Sequence, residues 1–191
     1  MNPAPFPAAL NRVIAAFPLP GLVLSATPYG NGNINETIVA VVDVGFGTRR
    51  YIFQRINHNV FKNVIALMEN VTRVTEHVRT KQLRGLTLVP ARDGHDYYFV
   101  NGGWWRVYEF IEGTHTVEQV TSVAQAREVA RAFGEFQAHL ADLPGGRLHD
   151  TIPNFHHTRN RFEALRRAVA ADKAGRAAEV RAEIEFAFAR E

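Results

Sequence analysis

Tyr29-Gly30-Asn31-Gly32-Asn33-Ile34-Asn35-Glu36-Thr37 stands between two apolar, β-branched runs, Leu22-Val23-Leu24-Ser25-Ala26 before it and Thr37-Ile38-Val39-Ala40-Val41-Val42 after it. A short glycine-bearing turn between two such runs reads as a β-hairpin. Glycine admits positive φ and lets a ligand come close to bare backbone N–H groups. Two readings follow: a plain Asn-Gly hairpin turn, or a flap over the phosphates of a nucleotide. A strand rather than a helix follows the glycines, so the motif is not the turn of a doubly wound dinucleotide fold.

Around this hairpin the first half of the chain reads as strands. Val23 to Ala26, Ile34 to Val44 and Arg50 to Ile56 are three consecutive strands, with Gly45-Phe46-Gly47-Thr48 as the second turn. Val64, Leu67, Met68, Val71, Val74, Thr75 and Val78 then recur at helical spacing, and Asn63 is a suitable N-cap. Short strands follow at Leu86–Val89, Tyr97–Val100 and Trp104–Ile111, the last two joined by the Asn101-Gly102-Gly103 turn. From Ser122 to Leu140 an apolar stripe of Val123, Ala126, Val129, Ala130, Phe133, Phe136, Gln137 and Leu140 marks a long helix, stopped at Pro144-Gly145-Gly146. Helices from His157 to Ala170 and from Lys173 to the end complete the reading. The fold class is α+β. Its domains are an antiparallel sheet plus one helix over 1–112 and a partial α-helical lobe over 113–191.

The 191 residues are 46% hydrophobic and 21% charged, ordinary globular composition with enough apolar mass for a core. The absence of cysteine excludes disulfides, thiolate metal sites and a cysteine nucleophile. The net charge of +3 is mild, and the arginines from Arg159 to Arg190 are interleaved with Glu163, Asp172, Glu179, Glu183 and Glu185. That pattern is a solvated helix face rather than a nucleic-acid surface. No apolar run approaches a membrane span, and Met1-Asn2-Pro3-Ala4-Pro5-Phe6-Pro7 lacks the basic start and apolar core of a signal peptide. A cytoplasmic protein with no membrane partner is the expectation.

Strand, glycine hairpin, strand, strand, helix, short sheet, crossing segment, helices is the element order of the small lobe of a protein-kinase-like fold. Candidate residues then fall in sequence. Arg55, on the third strand, is placed to reach phosphates under the loop, and Glu69, on the next helix, to orient it. Glu109, Phe110 and Ile111 offer backbone groups to an adenine ring, and just before them Trp105-Arg106 sets an aromatic beside a cation. Each has a plain reading as well: a strand-edge cation, a helix-surface charge, a half-buried strand.

Taken together, Gly30-Asn31-Gly32-Asn33-Ile34-Asn35-Glu36-Thr37, Phe53-Gln54-Arg55-Ile56-Asn57, Leu67-Met68-Glu69-Asn70, Trp105 to Thr114, Phe133-Gly134-Glu135-Phe136-Gln137 and Asp150-Thr151-Ile152-Pro153-Asn154-Phe155-His156 resemble the N-acetylhexosamine 1-kinase group of the aminoglycoside phosphotransferase and choline kinase superfamily. The resemblance spans nearly the whole chain. It implies transfer of the ATP γ-phosphate, with Mg²⁺, to the anomeric hydroxyl of an N-acetylated hexosamine. It implies that Gly30, Asn31, Gly32, Asn33 and Asn35 cover the phosphates, that Arg55 contacts them and is steadied by Glu69, and that Glu109, Phe110 and Ile111 hold adenine. One departure is the strand cation, arginine where protein kinases use lysine, which is not a conservative exchange.

The chemistry's remaining parts have no match. The reaction needs an Asp to position the acceptor hydroxyl and an Asn and a second Asp for Mg²⁺; the family carries these in a His-x-Asp-x-x-x-x-Asn loop and a following Asp. His149-Asp150 lacks the intervening residue, Asn154 stands one place short of the spacing, and His95-Asp96 has no matching Asn. His156-His157 has no third ligand of zinc-site type, and no nucleophile elbow is present. The expectation is therefore no catalytic or metal-binding residue in this chain, an N-terminal portion of a kinase inactive by itself. The alternative is a non-catalytic nucleotide- or partner-binding remnant that self-associates through an exposed helical surface.

Overall fold

The computed structural model describes residues 7–190. Its elements are α1 (Ala8–Ala16), β1 (Leu22–Pro28), β2 (Glu36–Asp43), β3 (Thr48–Ile56), α2 (Val64–Thr80), β4 (Tyr98–Val100), β5 (Gly103–Glu109), α3 (Val123–Leu140), α4 (Thr158–Ala171) and α5 (Arg181–Phe188). The strands form one antiparallel sheet in the order β1-β2-β3-β5-β4. This is the α+β arrangement that the apolar runs and turns anticipate. Two compact units divide the chain, residues 1–151 and 152–191. By contacts, α3 therefore groups with the sheet in the first of these units.

Side chains alternate between the two faces of a strand, and residues directly opposite on neighbouring strands share a face. Ala40 pairs with Tyr51, Ile38 with Phe53 and Phe53 with Val107. These residues, with Val23, Val42 and Trp105, form the main core against Val13, Ala16 and Phe17. Phe17 meets Phe53 edge-on, with ring centroids 5.9 Å apart. Burying each such aliphatic or aromatic side chain contributes about 1.5–3 kcal/mol, so this layer is the principal source of cohesion in the sheet unit. No expectation from the sequence covers α1, yet its Val13 and Ala16 close over the core on this face.

The opposite face carries Ile52, Gln54 and Ile56 on β3 and Trp104, Arg106 and Tyr108 on β5. Here α2 packs: Ile56, Val64 and Met68 are fully buried, with Leu67, Val71, Leu88 and Trp104 around them. Asn63 caps α2 as the sequence anticipates, its side-chain oxygen accepting from the Ala66 N–H at 3.0 Å. Ser122 caps α3 in the same way through Gln125.

Two expected elements differ. Residues 86–89 make only the Leu88–Tyr108 bridge with β5, flanked by hydrogen bonds from Val89 to Val107 and from Glu109 to Thr87. Pro90, which has no N–H to donate, stops the ladder there. The last helix spans Arg181–Phe188 instead of starting at Lys173. Asp172 takes a left-handed conformation and accepts from the Arg176 and Ala177 N–H groups, while Gly175 has φ +64°. Residues 172–177 are thereby a capping turn, not helix. Within the second unit Phe162 and Phe188 pack with ring centroids 5.5 Å apart.

The stretch after α3 is tied to α2 by polar contacts. Asn70 donates to the His149 carbonyl and accepts from its N–H, both at 2.9 Å. Arg73 donates to the Pro144 and Gly146 carbonyls at 2.6 and 2.8 Å. Lys81 donates to the Asp142 carboxylate and the His77 ring nitrogen lies 3.0 Å from it. These two partners, Lys81 first, hold the Asp142 carboxyl down at about 2. A carboxylate depressed in the folded state stabilises it fully above the unfolded value, about 4, and ceases to do so as pH falls through about 2. Thermal melts should therefore show Asp142→Asn less stable than the parent at neutral pH, with the two melting temperatures converging as pH drops from about 4 towards 2. Parallel curves over that range would show the clamp to be energetically silent.

Candidate functional site

The β1–β2 hairpin is built as its sequence suggests. Its neck is closed by a hydrogen bond from the Tyr29 N–H to the Thr37 carbonyl at 2.9 Å. Gly30 sits at φ +75°, a conformation that an L side chain would strain. Asn31, Gly32 and Asn33 are exposed, while Asn35 turns inward and accepts from the Asn57 N–H at 3.0 Å, fastening the loop to the exit of β3. Asn31 donates to Glu118 at 2.8 Å, and the Tyr29 ring meets Phe110 edge-on at 5.6 Å. Glycine loop and post-β5 segment, which lie some eighty residues apart in sequence, are thus in direct contact.

The Arg55–Glu69 pair expected from the sequence does not form. Arg55 registers opposite Glu36 on β2 and Trp105 on β5, and its guanidinium lies 3.5 Å from the Glu36 carboxylate. It belongs to the face that α1 covers, because it is two residues from Phe53. Glu69 projects from α2, on the other side of the sheet, and pairs with His149 at 2.7 Å. Strand parity separates the two, not distance along the chain.

Glu109 ends β5, and Phe110 and Ile111 follow outside the strand expected to reach Ile111; much of their backbone is already committed. The Glu109 N–H donates to the Thr87 carbonyl and that of Phe110 to the Arg50 carbonyl, while the Ile111 carbonyl accepts from the Thr114 hydroxyl at 2.7 Å. Arg50 stacks over the Phe110 ring at 3.7 Å and pairs with Glu112. The hydrogen bond within that pair raises the Arg50 pKa and lowers that of Glu112. A hollow of ≈ 390 Å³ opens among Arg50, Tyr51, Glu109, Phe110 and Glu112.

On the α2 face lies a polar chain that the sequence reading passed over. Gln54 donates through Nε2 to the Thr37 hydroxyl at 3.0 Å. Its Oε1 accepts from Arg106 Nε at 3.0 Å and from Nη2 at 2.6 Å. This orientation of the amide is dictated by chemistry, since a guanidinium can only donate. Arg106 Nη1 points to the Met68 sulfur at 3.7 Å, and the guanidinium lies 5.3 Å from the Tyr108 ring centroid. Among the described residues Arg106 makes no ion pair, and burial lowers its pKa. Burial also raises the Tyr108 pKa. The available signal was Trp105-Arg106 itself: with Trp105 in the core, its neighbour must face the other way.

No three His, Asp or Glu side chains converge among the described residues. No helix among those residues is long and apolar enough to cross a membrane.

An antiparallel sheet with a glycine hairpin at one edge and a helix behind its third strand is the architecture of a kinase-like small lobe. The chain belongs to the phosphotransferase enzyme family, APH, whose model matches residues 25–191. Among solved structures it is similar to spectinomycin phosphotransferase APH(9)-Ia, in complex with ADP and spectinomycin, at 10% identity and a TM-score of 0.47. The likeness covers 86% of this chain and 52% of that one, so the chain spans about half that enzyme's length.

The hydrogen bond from the Asn57 N–H to Asn35 ties the loop's inner end to the exit of β3, and it supplies a direct readout. Asn35→Ala should speed hydrogen exchange at the Asn57 amide while leaving the amides of β3 protected; unchanged exchange at Asn57 would show the loop anchored elsewhere.

Proposed function

We propose that this chain is the nucleotide-binding part of a small-molecule kinase that transfers the ATP γ-phosphate to the anomeric hydroxyl of a sugar, with N-acetylhexosamine as the acceptor class. The observation that carries the reading is the contact between the glycine hairpin and the post-β5 segment, Tyr29 on Phe110 and Asn31 on Glu118. It brings together the loop assigned to phosphates and the segment assigned to adenine. Membership of the phosphotransferase family supports the reaction class, and the motif resemblance supports the sugar. Gly30, Asn31, Gly32, Asn33 and Asn35 cover the phosphates in this reading. The Ile111 N–H is the donor assigned to adenine, because those of Glu109 and Phe110 are already used within the sheet. Residues 1–112 are the nucleotide-binding part, 113–191 the start of the helical lobe, and the compartment is the cytoplasm.

The reaction requires Mg²⁺, and the 191 residues contain no His-x-Asp-x-x-x-x-Asn match to the loop that holds it in the family resembled. The chain by itself is accordingly a binder without turnover. A second reading, a partner-binding remnant, is favoured by α3: Val123 is 80% and Phe133 66% exposed along the stripe whose pattern anticipates burial. Self-association through that stripe would show as an early-eluting species in size-exclusion chromatography.

The two-part test uses the 191-residue chain. ATP should raise its melting temperature, since a ligand that binds only the folded state stabilises it. MgATP with N-acetylglucosamine or N-acetylgalactosamine should yield no sugar 1-phosphate. Absence of any ATP-dependent shift would sink the nucleotide reading; steady turnover would sink the claim of inactivity.

A further inference from the structure

We propose that Arg106 on β5, held by Gln54 on β3, is the cation that meets the phosphates of the nucleotide, in place of Arg55. The inference rests on the nucleotide reading above and names the residue on which that reading turns.

The first argument is the face. In kinase-type phosphoryl transfer the strand cation pairs with a residue of the helix that follows it, so cation and helix lie on one side of the sheet. In this chain that helix is α2, which packs on Ile56 and Trp104, with the Met68 sulfur 3.7 Å from Arg106 Nη1. Gln54 and Arg106 share this side as directly opposed residues, and Arg55 does not. At the β3 position facing the helix stands an amide, and the positive charge is supplied from the neighbouring strand.

The second argument is charge. Arg55 is already neutralised by Glu36 at 3.5 Å, with 44% of its side chain in solvent. Arg106 is half-buried, and its surroundings are an amide oxygen, a thioether and an aromatic ring. A desolvated cation without a counter-charge is unfavourable, and a phosphate arriving beside it removes that penalty. Desolvation also lowers the Arg106 pKa, as expected of an uncompensated charge. The thioether at Nη1 is a weak acceptor that a phosphate oxygen easily outcompetes.

The third argument is connection to the loop. Thr37 closes the hairpin neck by accepting from the Tyr29 N–H, and its hydroxyl accepts from Gln54 Nε2 at 3.0 Å. Phosphate cover and phosphate cation therefore belong to one hydrogen-bonded unit, Tyr29–Thr37–Gln54–Arg106. Arg55 pairs instead with Glu36, the residue just before Thr37, on the opposite face of the sheet.

The experiment measures binding of ATP, ADP and adenosine to the full 191-residue chain by calorimetric titration. Losing a charge-assisted phosphate contact should weaken ATP and ADP at least about tenfold in Arg106→Gln while adenosine stays within about twofold, and Arg55→Gln should hold all three within about twofold. Gln54→Glu, which gives the guanidinium a carboxylate partner, should produce the same selective loss of ATP and ADP and serves if Arg106→Gln fails to fold. ATP affinity unchanged in Arg106→Gln, or in Gln54→Glu, overturns the inference. So does a larger phosphate-selective loss in Arg55→Gln. No binding of ATP by the parent chain overturns the nucleotide reading and this inference together, whereas equal binding by parent and Arg106→Gln overturns this inference alone.

Discussion

Two-residue alternation along antiparallel strands is the constraint from which the rest of this structure follows. Each strand must send every second side chain to one face, and each face must find a cover. Val42, Phe53 and Val107 commit one face to the apolar layer under α1. Ile56 and Trp104 commit the other to α2. Once those faces are assigned, no side chain on β2, β3 or β5 is free to choose its side. The separation of Arg55 from Glu69 and the meeting of Gln54 with Arg106 are consequences of the same rule.

The elements with local signals were legible in the sequence. The hairpin is written in its glycines and flanking β-branched runs. The starts of α2 and α3 are written in Asn63 and Ser122, whose side chains bond the N–H groups three residues on. What escaped depends on distant partners. The nine-residue α1 has no side-chain cap, and its apolar positions make sense only against Phe53 across the core. Residues 86–89 carry a strand-like pattern, but their bonding is decided by how much of the β5 edge β4 leaves to them. The turn at 172–177 depends on Asp172 competing for backbone N–H groups, a contest that composition does not reveal.

For the site, the sequence named the strands but not the face of the sheet that each cation takes. Arg55 is a cation at the expected place on β3, but its own identity does not say which way it points. The alternation Tyr51, Phe53, Arg55 did hold the answer, because two large aromatics on one side mark that side as core. Glu69 was beyond such reasoning. Its partner His149 comes from a segment eighty residues downstream, positioned by Asn70 and Arg73 gripping backbone carbonyls that no side-chain pattern announces.

The grip of Gln54 on Arg106 has a consequence for entropy as well as for charge. A free arginine samples many rotamers, and fixing one on binding costs about 0.5–1.5 kcal/mol. Here two hydrogen bonds converging on a single amide oxygen have already selected the rotamer, and the folded sheet has borne that ordering before any partner arrives. Arg55, with nearly half its side chain in solvent and a longer ion pair, would have to be frozen at the moment of contact. Of the two arginines, the one set in advance is also the one whose motion is least altered by what it touches.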